Sequence, residues 1–528
     1  MKTLASSNRL FVCAVALAAG LLSPAGSSTP HAQEPGRPST QTAERQSPDT
    51  QLPDTALGRV AREWLDVING GSEASVKSFV ETRFSTNALR SQSAADYTAL
   101  FLKLRQQSGG LEVVRVTPPG GEMPMVLLAK SRRGGHYARV MLGMDGRETG
   151  KLAGMGVSRG ESPDAQGRNA WPERPLSEAE MVAEIKRQVE LRAAEGRFSG
   201  VVLVAKDDKV LLQLARGMAD QSSKTANRLD TKFHLASVGK MFTAVAVAQL
   251  VKAGKLSYTD TVAKLLPDYP NRKAAERITV HQLLTHSAGM GTFFESPGFD
   301  PRRLYRTPAE EVAVYQEEPL FFEPGARWRY SNAGYSLLGL IVERVSGESY
   351  LHYVRRHIFE PLGMRDTDTN EPGEAVRGAS VLYKQADLDP LGMEPYVADT
   401  KVQTSHANGF GNGFSTAGDL FKFARAVRTG RLLGEEMTRT AVTAKVNVNP
   451  QATQRWGYGF AERTVNGETV RGHTGGGRAD VEMLWESGYT VVVQTNATPP
   501  PASALSSEII NFITKQRSLR PHQAGARP

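Results

Sequence analysis

The spacing of apolar residues divides the chain into two folded regions. Between residues 54 and 160, apolar positions first recur every three or four residues and later alternate with polar ones. The first spacing is typical of amphipathic helices, and the second is typical of half-buried strands. The predicted helices are Ala56–Ile68, Ala74–Phe84 and Ala94–Gln107, and the predicted strands are Leu111–Val116, Met125–Lys130, His136–Leu142 and Leu152–Val157. Helices followed by an antiparallel sheet predict a small α+β domain here.

The second region, residues 176–515, has strand patterns near both of its ends and a long, mainly helical section between them. A helix at 177–194 and a hairpin around Asp207 and Asp208 open the region. Strands at 480–485 and 489–495 and a helix at 502–515 close it. Strands from both ends of one domain are expected to form one antiparallel sheet, with the helical section packed against it. This region is therefore also predicted to be α+β.

The segments outside these regions have other patterns. Residues 1–32 combine a basic start, a short apolar run and small residues, which predicts a secretory signal peptide; an uncleaved N-terminal anchor is the alternative. Residues 33–53 are rich in Pro, Ser, Thr and Gln and are expected to be a disordered tether. Residues 161–175 are predicted to be a linker and 516–528 a disordered tail. The protein is therefore expected to be secreted or periplasmic, without a stable membrane span after signal removal.

Composition removes several function classes. The only cysteine among the 528 residues is Cys13, so a chain that has lost its signal has no thiol for disulfides, nucleophilic catalysis or zinc ligation. The formal net charge of +9 is spread over the chain without a concentrated basic patch, so no nucleic-acid partner is predicted. His281 with His286, and His352 with His357, are five residues apart, which does not place a pair on one helix face. Neither a metal nor another cofactor is predicted.

Ser237 and Lys240 are three residues apart where a helix is predicted to begin. Positions i and i+3 lie on one helix face with Cβ atoms about 5 to 6 Å apart, so the amine can reach the hydroxyl. A free serine is a poor nucleophile at neutral pH and needs a nearby base or the field of a helix N-terminus. The same spacing also fits a capping serine beside a solvated lysine.

Two further motifs follow in order. Tyr330-Ser331-Asn332 begins 93 residues after Ser237, and His473-Thr474-Gly475 begins 143 residues after Tyr330. Together the three motifs resemble those of the penicillin-binding and class C β-lactamase superfamily of serine hydrolases, which share Ser-x-x-Lys, Tyr-x-Asn and Lys/His-Thr-Gly in this order. The resemblance covers residues 176–515 and implies a β-lactamase-like domain, with an antiparallel sheet flanked by helices and a mainly helical subdomain. The small domain before it resembles the NTF2-like group.

The resemblance also implies catalytic roles. Ser237 would attack a carbonyl and become acylated, while Lys240 and Tyr330 would share the task of general base. Neighbouring cations are expected to make the tyrosine a usable base. Asn332 would position Lys240 and a substrate amide. Taken alone, Tyr330 and Asn332 also fit an ordinary turn with a core tyrosine.

The third motif would form the substrate-binding edge. The N–H groups of Ser237 and Gly476 would form the oxyanion hole, and the glycines that begin at Gly475 would let substrate approach the strand beside His473 and Thr474. His473 also fits a surface histidine at a strand edge. A histidine, largely neutral at pH 7, cannot replace the permanent cation that a lysine supplies for a substrate carboxylate. This argues against an efficient β-lactamase.

The leading hypothesis is an exported serine hydrolase that acts through an acyl-enzyme on an ester or a peptide/amide carbonyl. It would be D-alanyl-D-alanine carboxypeptidase-like or esterase-like. The alternatives are a class C-type β-lactamase and a non-catalytic envelope module that binds penicillin or peptidoglycan fragments. The expected partner is a small-molecule or peptide substrate, with cell-wall peptide among the candidates, and the oligomeric state stays open. Specificity is expected in the loops 292–305 and 383–406, and the glycine-rich run from Asn408 is predicted to be a turn near the site entrance.

Overall fold

The structure is a computed structural model that describes residues 50–118, 124–145, 148–164, 170–300, 303–367, 375–386, 389–399, 408–449, 451–498 and 501–519. The chain forms two units. The first comprises residues up to 168 together with 386–395, and the second comprises 169–385 and 396–528. The predicted signal peptide, nearly all of the predicted tether and the last nine residues lie outside the described ranges. Across those ranges, no helix combines the length and apolar character needed to cross a membrane.

The first unit consists of helices followed by one antiparallel sheet, in the order β1-β2-β3-β4. Its elements are α1 (Ala56–Gly70), α2 (Glu73–Arg83), α3 (Thr86–Ser91), α4 (Ala94–Ser108), β1 (Leu111–Thr117), β2 (Met125–Ser131), β3 (Tyr137–Met144) and β4 (Leu152–Gly160). Each helix begins after a hydroxyl residue whose side chain accepts a hydrogen bond from the first turn, as Thr55 does for α1. Trp64 and Phe101 pack edge to face in the core between helices and sheet. The six-residue α3 is too short to give a periodic signal in the sequence.

A segment from much later in the chain also belongs to the first unit. Leu391 is fully buried in this unit's core, and its N–H donates to the side chain of Gln107 at 3.3 Å. The Gln107 amide in turn donates to the Asp389 carboxylate at 2.6 Å, and Lys103 pairs with Glu394 at 2.6 Å. The limits predicted from the sequence, 54–160, omit residues 386–395 because apolar spacing carries no information about contacts between distant parts of a chain.

The second unit is built around an eight-stranded antiparallel sheet in the order β13-β14-β15-β16-β17-β18-β5-β6. The strands of this unit are β5 (Gly200–Lys206), β6 (Lys209–Arg216), β7 (Met218–Asp220), β8 (Thr225–Ala226), β9 (Phe233–His234), β10 (Tyr383–Lys384), β11 (Val397–Ala398), β12 (Phe414–Ser415), β13 (Val446–Asn447), β14 (Gln454–Trp456), β15 (Ala461–Val465), β16 (Glu468–Gly475), β17 (Ala479–Leu484), β18 (Tyr489–Thr495) and β19 (Ala497–Thr498). The first strands along the chain pair with the last, because β5 lies between β18 and β6. The prediction of one sheet built from both ends of the domain is confirmed.

The helices of the second unit cover both faces of this sheet. They are α5 (Glu178–Ala194), α6 (Lys240–Lys252), α7 (Val262–Leu265), α8 (Arg272–Ala275), α9 (Val280–Leu284), α10 (Pro308–Val312), α11 (Asn332–Ser346), α12 (Tyr350–Val354), α13 (Glu360–Leu362), α14 (Ala417–Arg428), α15 (Glu435–Val442) and α16 (Ala502–Leu519). Successive residues of a strand point to opposite faces, so Val202 and Val204 of β5 face one core and Val201 and Leu203 face the other. Helix α16 and helix α5 cover the first core, and the mainly helical subdomain covers the second.

The C-terminal helix is longer than predicted. Residues 516–519, predicted to belong to the disordered tail, form the last turn of α16. The Gln516 side chain is fully buried, accepts from the N–H of Leu176, and donates to the carbonyls of Pro172 and Arg174. Trp171 stacks on Phe512 of the same helix at 4.6 Å. The helix therefore continues because it makes tertiary contacts with the end of the predicted linker, and these contacts have no local sequence signal.

Candidate active site

Ser237 lies in a tight turn that leads into a buried helix. The 3-10 turn Ala236–Gly239 runs directly into α6, in which almost every side chain is buried. Ala236 has φ +45°, a left-handed conformation that is costly for a residue with a Cβ and that often occurs at functional sites. The half-buried serine stands at the positive end of the helix, where the dipole stabilises negative charge developing on its oxygen.

Lys240 is completely buried, and its amine lies at the centre of the candidate site. Its Nζ is 3.1 Å from the Ser237 Oγ, 2.8 Å from the Asn332 Oδ1 and 2.5 Å from the carbonyl oxygen of Phe410. Burial lowers the pKa of Lys240 well below its usual value, so the neutral amine is favoured. This environment excludes the alternative of a solvated lysine beside a helix cap.

The second motif meets the first at the start of α11. Asn332 is the first residue of that helix, and it both accepts from Lys240 and donates to the Thr292 hydroxyl at 3.2 Å. The ring of Tyr330 has its centroid 4.9 Å from the lysine nitrogen, and its hydroxyl hydrogen-bonds with Ser237. Tyr330 and Asn332 are therefore not part of an unrelated surface turn.

The third motif forms the end of β16, a central strand of the sheet. The ring of His473 is 6.4 Å from the ring of Tyr330, and the strand ends at Gly475 against the residues that precede Ser237. A Cβ on Gly475 would lie 2.0 Å from the carbonyl oxygen of Leu235, so no larger residue fits there. A Cβ on Gly476, φ +50°, would lie 3.3 Å from the Cβ of Ala236. The backbone of the strand end is therefore next to the serine turn, as an oxyanion hole requires.

The structure thus brings together the predicted site residues Ser237, Lys240, Tyr330, Asn332, His473, Thr474, Gly475 and Gly476, which span more than two hundred residues of sequence. Residues 185–511, more than half of the chain, match the family model described as Beta-lactamase. The chain belongs to the Beta-lactamase family.

The relatives of this Beta-lactamase-family domain have several activities in their names. Penicillin-binding protein 4* of Bacillus subtilis (strain 168) is 28% identical over 294 residues, which are 53% of this chain and 63% of that protein. Esterase EstB of Burkholderia gladioli is 28% identical over 329 residues, 56% of this chain and 83% of the esterase. The chain spans less than two thirds of the length of the penicillin-binding relative. The family is one of serine hydrolases with the β-lactamase fold, and the predicted fold class is confirmed.

Solved structures agree with these relatives. A penicillin-binding protein from Bacillus halodurans superposes with a TM-score of 0.53 at 26% identity, covering 61% of this chain and 98% of that one. A D-stereospecific amidohydrolase from Streptomyces sp. superposes with a TM-score of 0.53 at 26% identity, covering 62% of this chain and 97% of that one. One fold thus carries hydrolases of different substrate classes, so specificity has to be argued from the site.

The electrostatics of the Beta-lactamase-family site bear on the choice of base. Burial raises the pKa of Tyr330 above its ordinary value of 10, and the hydrogen bond with Ser237 opposes this only in part. Burial shifts the pKa of the nearby Lys240 amine in the opposite direction, well below its usual value. Burial thus favours the protonated phenol of Tyr330 and the neutral amine of Lys240, so Lys240 is the stronger candidate for the base.

His473 is neutral in this environment. It is 3% exposed, and its Nδ1 donates to the carbonyl of Thr474 at 2.6 Å. Burial lowers the pKa of His473 to about 3. The neighbouring cation Arg478 is already paired with Asp399 at 2.8 Å. In the described part of this strand edge, a substrate carboxylate would therefore meet no unpaired cation.

Sequence reasoning missed two aromatic residues behind Tyr330. The His286 ring lies 4.4 Å from the Tyr330 ring, and its Nδ1 accepts from the N–H of Ser331 at 3.1 Å. Trp456, which is 4% exposed, lies 4.8 Å from His286 and 5.2 Å from His473. Together they fix the position of the Tyr330 ring. In the sequence His286 is notable only for its spacing from His281, and only the folded chain shows that it supports the site.

The second omission is the glycine-rich run that begins at Asn408. It had been predicted as a turn near the site entrance, but its residues 408–411 are buried. The turn lies beneath the serine turn, and its Phe410 carbonyl accepts from Lys240. Three glycines in six residues were a usable signal for a close backbone approach, but the partner could not be identified from sequence.

A search of the described ranges for groups of three or more His, Cys, Asp or Glu side chains that could hold a metal ion finds none.

Proposed function

We propose that this protein is an exported serine hydrolase that forms an acyl-enzyme at Ser237 and cleaves an ester or an unstrained amide. One observation carries the proposal: the amine of Lys240 is fully buried, which lowers its pKa well below the usual value, and it is in hydrogen-bonding contact with the Ser237 hydroxyl. The signal-like pattern of residues 1–32 supports the exported location.

The contacts of Lys240 account for its role as base. A neutral amine has two N–H donors and one lone pair. The Asn332 Oδ1 and the Phe410 carbonyl are acceptors and take the two donors of the neutral amine, which leaves its lone pair for the Ser237 hydroxyl, whose oxygen lies 3.1 Å from Nζ. When the serine oxygen attacks the carbonyl carbon, its proton passes to Lys240.

Tyr330 completes the proton transfer. Because burial keeps the phenol protonated, its hydroxyl can donate to the leaving group as the tetrahedral intermediate collapses. The protonated Lys240 then returns a proton to Tyr330, so the net transfer is from serine to leaving group. The N–H groups of Ser237 and Gly476 stabilise the oxyanion. Water, deprotonated through the same two residues, releases the acyl group and restores the serine.

The surroundings favour a neutral substrate. A β-lactam or a C-terminal peptide carries a carboxylate, but His473 is uncharged and Arg478 is paired with Asp399. This favours an ester or amide without a nearby carboxylate over both the class C-type β-lactamase and the D-alanyl-D-alanine carboxypeptidase alternatives.

Intact-mass spectrometry after treatment with a fluorophosphonate tests the nucleophile. A single adduct on Ser237 is expected, absent from Ser237→Ala and slowed at least about a hundredfold in Lys240→Ala. No adduct in the folded wild-type protein would refute the proposal. Tyr330→Phe is expected to keep a slow adduct and lose turnover, since it removes only the proton donor.

A substrate panel tests the class. Short-chain nitrophenyl esters, a D-Ala-D-Ala peptide and nitrocefin are compared at equal enzyme concentration by kcat/KM. The esters are expected to be turned over at least tenfold more efficiently than either carboxylate-bearing substrate. Efficient nitrocefin hydrolysis would favour the β-lactamase alternative. Stoichiometric acylation by every reagent without turnover would favour the non-catalytic binding module.

A further inference from the structure

The turn of residues 408–413, called here the glycine turn, is packed against the turn that carries Ser237. Its glycines Gly409 and Gly411 have no space for a side chain. A Cβ on Gly411, φ +136°, would lie 2.1 Å from the carbonyl oxygen of Ala236. A Cβ on Gly409 would lie 2.2 Å from the carbonyl oxygen of Tyr335 in α11. The glycine turn is therefore held between the serine turn and α11, and any shift in it is transmitted to both.

The glycine turn supplies two carbonyl groups to α6. The Phe410 carbonyl accepts from Lys240 at 2.5 Å, and the Gly409 carbonyl accepts from the Thr243 hydroxyl at 2.6 Å. If the Phe410 carbonyl moved away, one N–H of the neutral Lys240 amine would lose its acceptor. That N–H could then point at the Ser237 oxygen, and the lone pair would no longer face the hydroxyl. The position of the glycine turn therefore determines whether the lysine acts as a base.

A buried carboxyl group outside the catalytic motifs anchors this turn. Glu311, in α10, is 2% exposed, and one of its carboxyl oxygens accepts from the Asn408 side-chain amide at 2.7 Å. The other oxygen accepts from the Ser336 hydroxyl of α11 at 2.6 Å. Glu311 thus ties the first residue of the glycine turn to the helix that begins with Asn332. Those two elements supply the two acceptors of the lysine amine.

A buried polar group of this kind is expensive unless it is fully hydrogen-bonded. An apolar residue of the same size would fill the space between α10 and α11 without that cost. The carboxyl binds Asn408, two residues before the Phe410 carbonyl that binds Lys240, and this gives it a function that an apolar residue cannot supply.

We propose that Glu311 is a positioning residue for catalysis: through Asn408 it holds the glycine turn so that the Phe410 carbonyl orients the Lys240 amine toward Ser237. The inference rests on the proposed role of Lys240 as the base. Glu311 makes no contact with the reacting atoms and is expected to affect the rate of acylation without contributing to substrate binding.

The test compares Glu311→Met, which keeps the volume and removes both acceptors, with Glu311→Gln, which keeps an acceptor for Asn408 and can donate to Ser336. Steady-state kinetics on a short-chain nitrophenyl ester should show kcat lowered about 10- to 100-fold in Glu311→Met with KM within about twofold, since misplacement of a catalytic group mainly slows the chemical step. Glu311→Gln should recover kcat to within about threefold of wild type. The rate of fluorophosphonate labelling should follow kcat.

Glu310→Gln, one residue away on the same helix and outside these contacts, is the matched control and should behave as wild type. A wild-type kcat in folded Glu311→Met would overturn the proposal, and so would a variant that raises KM while leaving kcat unchanged. If Glu311→Met does not fold by circular dichroism, Asn408→Ala cuts the same hydrogen bond and decides in its place. If neither folds while Glu311→Gln does, the carboxyl is purely structural and the proposal is wrong.

Lys240→Ala distinguishes failure of the proposed function from failure of the proposed role of Glu311. If Lys240→Ala is labelled at the wild-type rate, the lysine is not the base and the proposed function fails together with this inference. If Lys240→Ala is inert but Glu311→Met retains wild-type kcat, the positioning inference alone fails.

Discussion

Replacing Glu311 by glutamine should make the folded protein more stable relative to wild type as the pH rises. Burial raises the pKa of this carboxyl from 4.5 to about 7, and the nearby carboxylates of Glu343 and Glu310 act in the same direction. The hydrogen bonds from Ser336 and Asn408 lower the pKa and only partly offset these effects. Between pH 4.5 and about 7, Glu311 therefore keeps its proton in the folded chain and has lost it in the unfolded chain.

The direction and size follow from proton linkage. Below pH 4.5, Glu311 is protonated in both states and contributes no pH dependence. Between pH 4.5 and about 7 only the unfolded state ionises, so stability falls by about 1.4 kcal/mol per pH unit. Above about pH 7 both states are ionised, and the loss levels off. The total is about 3 kcal/mol, as expected for a buried group with little access to solvent.

Urea denaturation at pH 5 and at pH 8 measures this effect. The free energy of unfolding of Glu311→Gln minus that of wild type should be about 2 to 3 kcal/mol more favourable at pH 8 than at pH 5, because part of the total effect is already lost at pH 5. Taking this difference cancels the other titrating groups. Glu310→Gln removes only the weakest of the effects that raise the pKa of Glu311, so it should show a much smaller change between the two pH values. Parallel pH dependence in Glu311→Gln and wild type would show that Glu311 titrates normally and would refute the reasoning from burial.

Three further results are expected. The acid limb of the kcat/KM profile on a nitrophenyl ester should report protonation of Lys240, with activity lost as pH falls, and should keep its midpoint in His473→Asn because the pKa of His473 is already about 3. Gly411→Ala should destabilise the protein by about 3 kcal/mol or more in urea, whereas Gly418→Ala, with nothing closer than 3.8 Å, should cost less than about 1 kcal/mol. Phe294, 45% exposed and packed on Phe410 at 5.8 Å, should contact apolar acyl chains, so Phe294→Ala should lower kcat/KM for hexanoyl esters about tenfold more than for acetyl esters.

Local patterns predicted most of the fold. The elements predicted in the first unit, and those predicted at the two ends of the second, appear within a few residues of their expected positions, because amphipathic spacing and capping residues act over one or two turns. The clearest case is α5, whose start is set by the reciprocal capping box of Ser177 and Glu180. Short elements such as α3, and the helical turn at 516–519, depend on contacts with distant residues and were missed.

The same distinction applies to the site. Ser237, Lys240, Tyr330 and Asn332 were identified because their motifs are short and occur in a fixed order. His286 and the glycine turn were not identified as site components, because they act through packing and backbone carbonyls that no motif records. Residues 386–395, part of the loop 383–406, belong to the first unit by contacts alone, and local patterns in a sequence do not record such contacts.

The amino-acid sequence by itself determined the two α+β regions, the family and the candidate reacting groups, because these depend on periodicity and on motifs of three or four residues. Only the tertiary structure decided how burial shifts their pKa values. Burial raises the pKa of Tyr330 and lowers the pKa values of Lys240 and His473, because it removes the water that would stabilise each charge. Burial of a side chain depends on the whole fold around it. The fold that buries Lys240 beside Ser237 is therefore what distinguishes a candidate nucleophile from a capping serine.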